Sequence, residues 1–116
     1  MTKNVDWLKE LAAAITVCDR EGKIVAMNDR AAAVFAAEGG RELLGKSLFD
    51  CHPEKAQRKL RELFADRRTN CYTIEKGNVK KLIYQTPWHE GGRFSGYVEL
   101  SLEIPFVMPH FIRPVS

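Results

Sequence analysis

The sequence has few cysteines, no long hydrophobic run and little excess charge, and each shortage excludes a class of protein. Its three cysteines are an odd number without Cys-x-x-Cys spacing, which favours reduced thiols in the cytoplasm over a disulfide framework. The longest uncharged apolar stretch, 11–18, is far shorter than the roughly 20 residues that span a membrane. The net charge of +3 is too small to indicate nucleic acid by itself. We therefore expect a cytoplasmic protein without a membrane or nucleic-acid partner.

The composition that remains is that of an ordinary globular domain. Of 116 residues, 45% are hydrophobic and 28% are charged, which is enough for one core without metals or disulfides. No repeat, linker or low-complexity tract divides the chain. We expect an N-terminal segment over residues 1–14, one domain over 15–104, and an apolar, proline-rich tail over 105–116.

The first half of the chain predicts two helices around a hairpin. Apolar residues at 5, 8, 11 and 12 have helical spacing, which predicts an amphipathic helix within the first 14 residues. Two β-branched stretches, 15–19 and 24–27, flank a turn that contains Gly22, which is typical of a β-hairpin. Asn28 or Asp29 is then suited to cap the next helix.

The second half predicts a longer helix followed by three strands. His52 and Pro53 suit the start of a helix whose apolar stripe continues to Phe64. Strands are predicted at about 70–76, 80–89 and 93–103, separated by glycine-containing turns. This order predicts an α+β fold, with one mixed sheet of five strands and helices on one face.

Three stretches of the chain, together with the order of the elements, resemble the PAS family of sensor domains. They are residues 15–28, with Asp-x-x-Gly in the turn and Asn at the following cap, residues 44–49, and residues 91–99. The resemblance covers about residues 12–104. It implies a five-stranded antiparallel sheet with a helical crossover on one face. Between sheet and crossover it implies a cavity that holds haem, flavin, a small metabolite or nothing. It also implies an N-terminal helix that packs on the outer sheet face and mediates dimerisation. Cys51-His52-Pro53 resembles a bacterial subgroup of the family.

Large side chains on the predicted sheet and crossover are the candidates for lining that cavity. The alternative is that they fill an ordinary core, as stripes at such spacing do in every globular protein. The candidates are Met27, Phe35, Leu48, Phe49, Leu60, Tyr84, Trp88, Val98 and Leu100.

Cys51 and His52 are the sharpest local feature, because both precede a predicted helix. The positive end of the helix dipole favours a thiolate at Cys51 and a neutral imidazole at His52. His52 is therefore a candidate haem ligand, and a metal ligand only if haem is bound. The alternative is that His52 is a helix cap. We do not expect flavin, because residues 46–52 lack the asparagine and arginine that accompany the reactive cysteine of the family's light sensors.

No pattern in the sequence indicates catalysis or nucleic-acid binding. His89 and Glu90 are adjacent in a predicted strand, so their side chains would point to opposite faces. The basic residues of the long helix alternate with acidic ones and lack interleaved aromatics, as on a solvated helix face. We expect no enzymatic activity.

The sequence thus favours a sensory module that binds a small ligand or cofactor and signals through protein contacts. We expect a homodimer, as the resemblance implies for the N-terminal helix. Residues 105–114 of the tail carry five large apolar residues and three prolines, so the tail either folds back onto its own domain or docks on a second subunit. Two alternatives remain open. One is a ligand-free adaptor for protein–protein interaction, and the other is a thiol redox switch at Cys51.

Overall fold

The computed structural model describes residues 4–50 and 52–115. Five strands form one antiparallel sheet in the order β2-β1-β5-β4-β3, and helices and turns connect β2 to β3, so the predicted α+β fold class is confirmed. The strands are β1 (Ala14–Cys18), β2 (Ile24–Met27), β3 (Asn70–Lys76), β4 (Val79–Glu90) and β5 (Arg93–Ile104). The helices are α1 (Asp29–Val34) and α2 (Glu54–Asp66), with short 3₁₀ turns at Ala36–Glu38 and Gly40–Leu43.

The N-terminal segment forms a turn, so the predicted amphipathic helix is wrong for residues 4–13. A helix would need the carbonyls of Leu8 and Lys9 to accept bonds from amides four residues later. The Leu8 carbonyl instead accepts from Asn28 Nδ2 at 3.1 Å, and the Lys9 carbonyl accepts from the Asp29 amide at 2.9 Å. The segment is therefore held against the start of α1.

Asn28 is the predicted cap of α1 and a central link of the fold. Its side chain is 2% exposed, and its Oδ1 accepts from the amides of Ile15 and Ala31 at 3.0 Å each. Its Nδ2 donates to Leu8 and, at 2.7 Å, to Ala13. One side chain thus joins the N-terminal segment, β1 and α1.

The first and last strands in sequence, β1 and β5, are neighbours in the sheet, and β5 is its central strand. β1 lies between β2 and β5, and Ala14 at its start is the partner of Ser101 near the end of β5. The chain therefore enters and leaves the sheet on neighbouring strands at the same edge of the fold.

Helix α2 is attached to the sheet mainly by its C-terminal end. Leu63 is 2% exposed, and the Tyr97 hydroxyl on β5 lies 2.5 Å from the Leu63 carbonyl oxygen and 2.8 Å from that of Arg68. Phe64 packs against the Tyr97 ring with centroids 4.9 Å apart. The first half of α2 is exposed or half-buried, which leaves space between it and the sheet.

The apolar tail after Ile104 extends away from the domain core. Val107, Phe111 and Ile112 are largely exposed, and the Lys80 ammonium donates to the Phe106 carbonyl at 3.4 Å. In the ranges 4–50 and 52–115, no helix is both long and apolar enough to cross a membrane.

Candidate functional site

A cavity of about 1300 Å³ lies between the inner face of the sheet, α2 and the segment that follows α1. Sites for small organic ligands measure roughly 300–1000 Å³, so a ligand and its water both fit here. The cavity exists because α2 approaches the sheet at Leu63 and diverges towards its N-terminus. Its apolar walls include Ile24, Met27, Phe35, Leu43, Leu60 and Leu63.

A row of polar residues crosses the cavity floor. Asn70, Gln85, Glu99 and Thr16 are cross-strand partners on β3, β4, β5 and β1, and all four line the cavity. Asn70 Nδ2 donates to Gln85 Oε1 at 2.9 Å, and Gln85 Nε2 donates to Glu99 Oε2 at 3.1 Å. The floor is thus a hydrogen-bonded chain that ends on a carboxylate.

Two groups beside this row have raised pKa values. Burial raises the pKa of the Cys18 thiol to about 11, with the negative charges of Asp19 and Glu99 adding to the effect. Burial, with the Glu99 charge adding, also raises the pKa of the Tyr72 phenol. Cys18 is therefore a protonated thiol near neutral pH and a poor nucleophile.

His52 lies at the mouth of the cavity with one ring nitrogen engaged. Its Nδ1 is 2.6 Å from the Leu48 carbonyl oxygen. Because a carbonyl only accepts, Nδ1 carries the proton of this bond, so in the neutral ring Nε2 is the acceptor. In that tautomer His52 would be able to hold haem through Nε2. Within the described residues, no group of three or more His, Cys, Asp and Glu side chains could hold a metal ion.

The alternative prediction, that His52 caps α2, is wrong, because the cap lies one residue later. Pro53 is the N-cap of α2 and makes no side-chain cap bond, since proline has no polar side chain. The backbone carbonyl of His52 accepts instead from Gln57 Nε2 at 2.8 Å. Cys51, the other half of the predicted motif, lies outside the described residues.

Six of the predicted residues in the described ranges line the cavity and four do not. Those that line it are Met27, Phe35, Leu48, His52, Leu60 and Val98. Val98 borders it from a strand position that alternation places, with Leu100, on the outer face. Phe49 packs instead against Phe64, with ring centroids 5.4 Å apart, and its ring lies under the Arg61 guanidinium.

The prediction is wrong for Tyr84, Trp88 and Leu100, which lie on the outer face of the sheet, opposite the cavity. Tyr84 and Leu100 are cross-strand partners, each one residue from Gln85 and Glu99, which line the cavity. Because side chains alternate along a strand, both must point away from it. The indole of Trp88 lies over β1 and donates from Nε1 to the Cys18 carbonyl at 2.9 Å.

The polar row was missed in the sequence because polar strand positions were assigned to the wetter face. Glu99 alternates with Val98 and Leu100, which is the pattern of a solvent-exposed acid. The signal that could have indicated a site is that Asn70 and Gln85 lie at equal distances from the β3–β4 turn. The partner of Gln85 on β5 could not be found in this way, because a register shift between Trp88 and His89 moves the pairing by one residue to Glu99.

Comparisons with known proteins agree on the fold. A family model described as a PAS fold matches residues 8–104. No curated protein matches the chain.

Three solved structures are similar to the chain at low identity. The Aer2 receptor from Vibrio cholerae, described as a dual PAS-haem oxygen sensor, is 15% identical with a TM-score of 0.60, over 80% of this chain and 95% of that one. The PAS domain of the histidine kinase ThkA is 18% identical with a TM-score of 0.62, over 77% and 96%. The Vibrio cholerae VqmA dimer, solved without its target DNA, is 12% identical with a TM-score of 0.65, over 95% of this chain and 56% of that one.

Proposed function

The chain belongs to the PAS fold family, a family of sensor domains, and we propose that it binds a small ligand in its cavity and signals through protein–protein contacts. The observation that carries the proposal is the cavity of about 1300 Å³ with apolar walls and a polar floor. Ligand sites in proteins combine an apolar enclosure with a few polar groups that orient the ligand. The proposal involves no catalytic step.

The position of α2 supports the transmission of ligand binding from the cavity to the protein surface. The helix is attached through Leu63, Phe64 and the Tyr97 hydroxyl at one end, while its other end borders the cavity. A ligand that contacts Leu60 and Ala56 binds better to one position of α2 than to another and so shifts the population of helix positions. The exposed face of α2 presents that shift to a signalling partner.

Haem is a second candidate occupant, supported by His52. The free Nε2 of this residue is suited to bind the iron, and the exposed Lys55 and Lys59 at the cavity rim are suited to pair with propionates. Haem supplies gas binding or redox sensing when present. The Aer2 structure is described as a haem oxygen sensor, which supports this candidate by fold alone.

We expect protein purified from its native host to release a small molecule when it is denatured. The measurement is an absorption spectrum of the folded protein followed by mass spectrometry of the denatured extract. A Soret band that disappears in His52→Ala but persists in His89→Ala, an exposed histidine of β4, identifies haem. A clean extract contradicts the ligand proposal and leaves the ligand-free adaptor as the better function.

A homodimer is the second part of the proposal. The outer sheet face carries half-buried Val17, Leu100 and Leu102 and exposed Tyr84, and the tail that follows β5 exposes Phe106, Val107, Met108, Phe111 and Ile112. Each large apolar side chain contributes about 1.5–3 kcal/mol when it is fully buried. A second copy brings a matching face and tail, so a two-fold arrangement buries both sets at once. The VqmA structure is described as a dimer, which supports dimerisation by fold alone.

We expect light scattering to give twice the chain mass, because dimerisation removes this apolar surface from water. Phe111→Ser combined with Ile112→Ser should shift the protein towards monomer, since both side chains are largely exposed in the single chain. The matched control, Lys76→Ser with Asn78→Ser, changes two exposed residues around the β3–β4 turn and should leave the mass unchanged. A wild-type protein that is still monomeric at about 0.1 mM, a concentration at which even weak dimers form, contradicts the proposal.

The proposal places the protein in the cytoplasm, in keeping with the free thiols of Cys18 and Cys71. The thiol switch at Cys51 stays a prediction.

A further inference from the structure

The direction of the hydrogen bonds across the cavity floor determines which ligand groups it accepts. Glu99 ends the chain of bonds, and an ionised carboxylate only accepts. Gln85 must therefore turn its amide nitrogen towards Glu99 and its oxygen towards Asn70, which in turn must present its own nitrogen, as the bonds of 3.1 and 2.9 Å show. The whole chain is oriented by the charge at one end.

This orientation leaves acceptors free along the row. The Asn70 Oδ1 and Glu99 Oε1 atoms accept no hydrogen bond from any side chain or backbone amide among the described residues. No lysine or arginine in the described ranges lies within ion-pair distance of Glu99. The floor is thus rich in acceptors and carries one carboxylate without a cationic partner.

From this arrangement we propose that the ligand carries a protonated nitrogen, as an amine, amidine or guanidine, and binds with that group against Glu99. The inference rests on the proposed ligand-binding function and adds the chemical class of the ligand. Charge-assisted bonds of a forked cation to a carboxylate are among the strongest polar contacts in proteins.

The surroundings of Glu99 favour a cation over an anion at this depth. The Glu99 charge contributes to the raised pKa values of Tyr72 and Cys18, which places its negative field on both sides of the row. The lysines of the cavity, Lys46, Lys55 and Lys59, are exposed and lie on the connecting segment and α2, across the cavity from the sheet. An anionic group of the same ligand is accommodated at that rim and not at the floor.

The test uses three flat probes of nearly equal size, namely benzamidine, benzamide and benzoate, titrated into the ¹⁵N-labelled full chain. We expect benzamidine to shift the amide signals of β3, β4 and β5 and to bind at least about tenfold more tightly than benzoate, about 1.4 kcal/mol. Glu99→Gln keeps the acceptor for Gln85 and removes the charge, so it should abolish that preference. Glu103→Gln removes an equal charge from an exposed position on the same strand and should retain it.

Three outcomes of this titration overturn the inference about the ligand class. Benzoate binding as tightly as benzamidine, or an unchanged preference in Glu99→Gln, contradicts the ligand class while leaving a ligand-binding cavity intact. If no probe binds at about 10 mM, weaker than ordinary fragment affinities, the inference fails. A clean extract in the denaturation experiment then removes the proposed function as well. Should Glu99→Gln not fold, the ranking of the three probes on the wild-type protein still decides.

Discussion

Replacing Gly96 with alanine should lower the free energy of unfolding by roughly 3 kcal/mol or more, because steric overlap and backbone strain act together. A Cβ at this position would overlap the Cys18 carbonyl oxygen and lie 2.8 Å from the carbonyl carbons of Cys18 and Asp19. Those atoms are backbone of β1, which is paired on both sides, and of the turn after it, so they have little room to move. The φ of Gly96 is +140°, a conformation that side chains with a Cβ rarely adopt. Trp88 Nε1 donates to the same Cys18 carbonyl, so a shift of that group breaks a second contact.

The measurement for Gly96→Ala is denaturant unfolding followed by circular dichroism. Gly91→Ala is the matched control, because Gly91 has a φ of +58° and nothing within 4 Å of its missing Cβ. The control should lose about 1 kcal/mol from backbone conformation alone. If the two variants unfold at the same denaturant concentration, the close approach of β1 to β5 at Gly96 is not what restricts this position.

Replacing Asn28 with alanine should lower the free energy of unfolding by about 3 kcal/mol, because it removes a helix cap and leaves buried amides unpaired. The amides of Ile15 and Ala31 both lie in the core and lose Oδ1 as their acceptor. The carbonyls of Leu8 and Ala13 lose their donor at the same time. The N-terminal segment should therefore become more open to hydrogen exchange than it is in the wild-type protein.

Two further variants separate the roles of the Asn28 side chain. Asn28→Asp keeps an acceptor for Ile15 and Ala31 and loses the donor, so its stability should lie between those of the alanine variant and the wild type. Asn78→Ala removes an exposed asparagine at the β3–β4 turn and should change stability by less than about 0.5 kcal/mol. An alanine variant at 28 that unfolds together with the variant at 78 would show that the four bonds contribute little net stability.

Strands and turns could be predicted from the sequence because their signals are local. Alternating side chains over 93–103 and glycines between the strands predict β5 and the hairpins directly, and Asn28 is a cap by residue type. The N-terminal helix could not be excluded in the same way. Its carbonyls are bound by Asn28 and Asp29, about 20 residues later in the chain, and no property of residues 4–13 reveals that competition.

The candidate site could be predicted only in part, because it depends on which sheet face meets the helices. Alternation shows that Val98 and Leu100 share one face and that Tyr97 and Glu99 share the other. It does not show which of the two faces α2, since both carry large side chains. In the structure the Tyr97 hydroxyl donates to the Leu63 carbonyl of α2, so the face of Tyr97 and Glu99 is the one that meets α2. The polar row needs the register of four strands, which is a long-range property.

The pairing of Ala14 with Ser101 has a consequence for how this unit can be built into larger polypeptides. Because the incoming and outgoing backbones lie on adjacent strands, the unit can be inserted between two neighbouring residues of a host surface loop without spreading that loop apart. The same geometry permits a circular permutation in which a short linker joins the start of β1 to the end of β5 and new ends are opened in a surface turn.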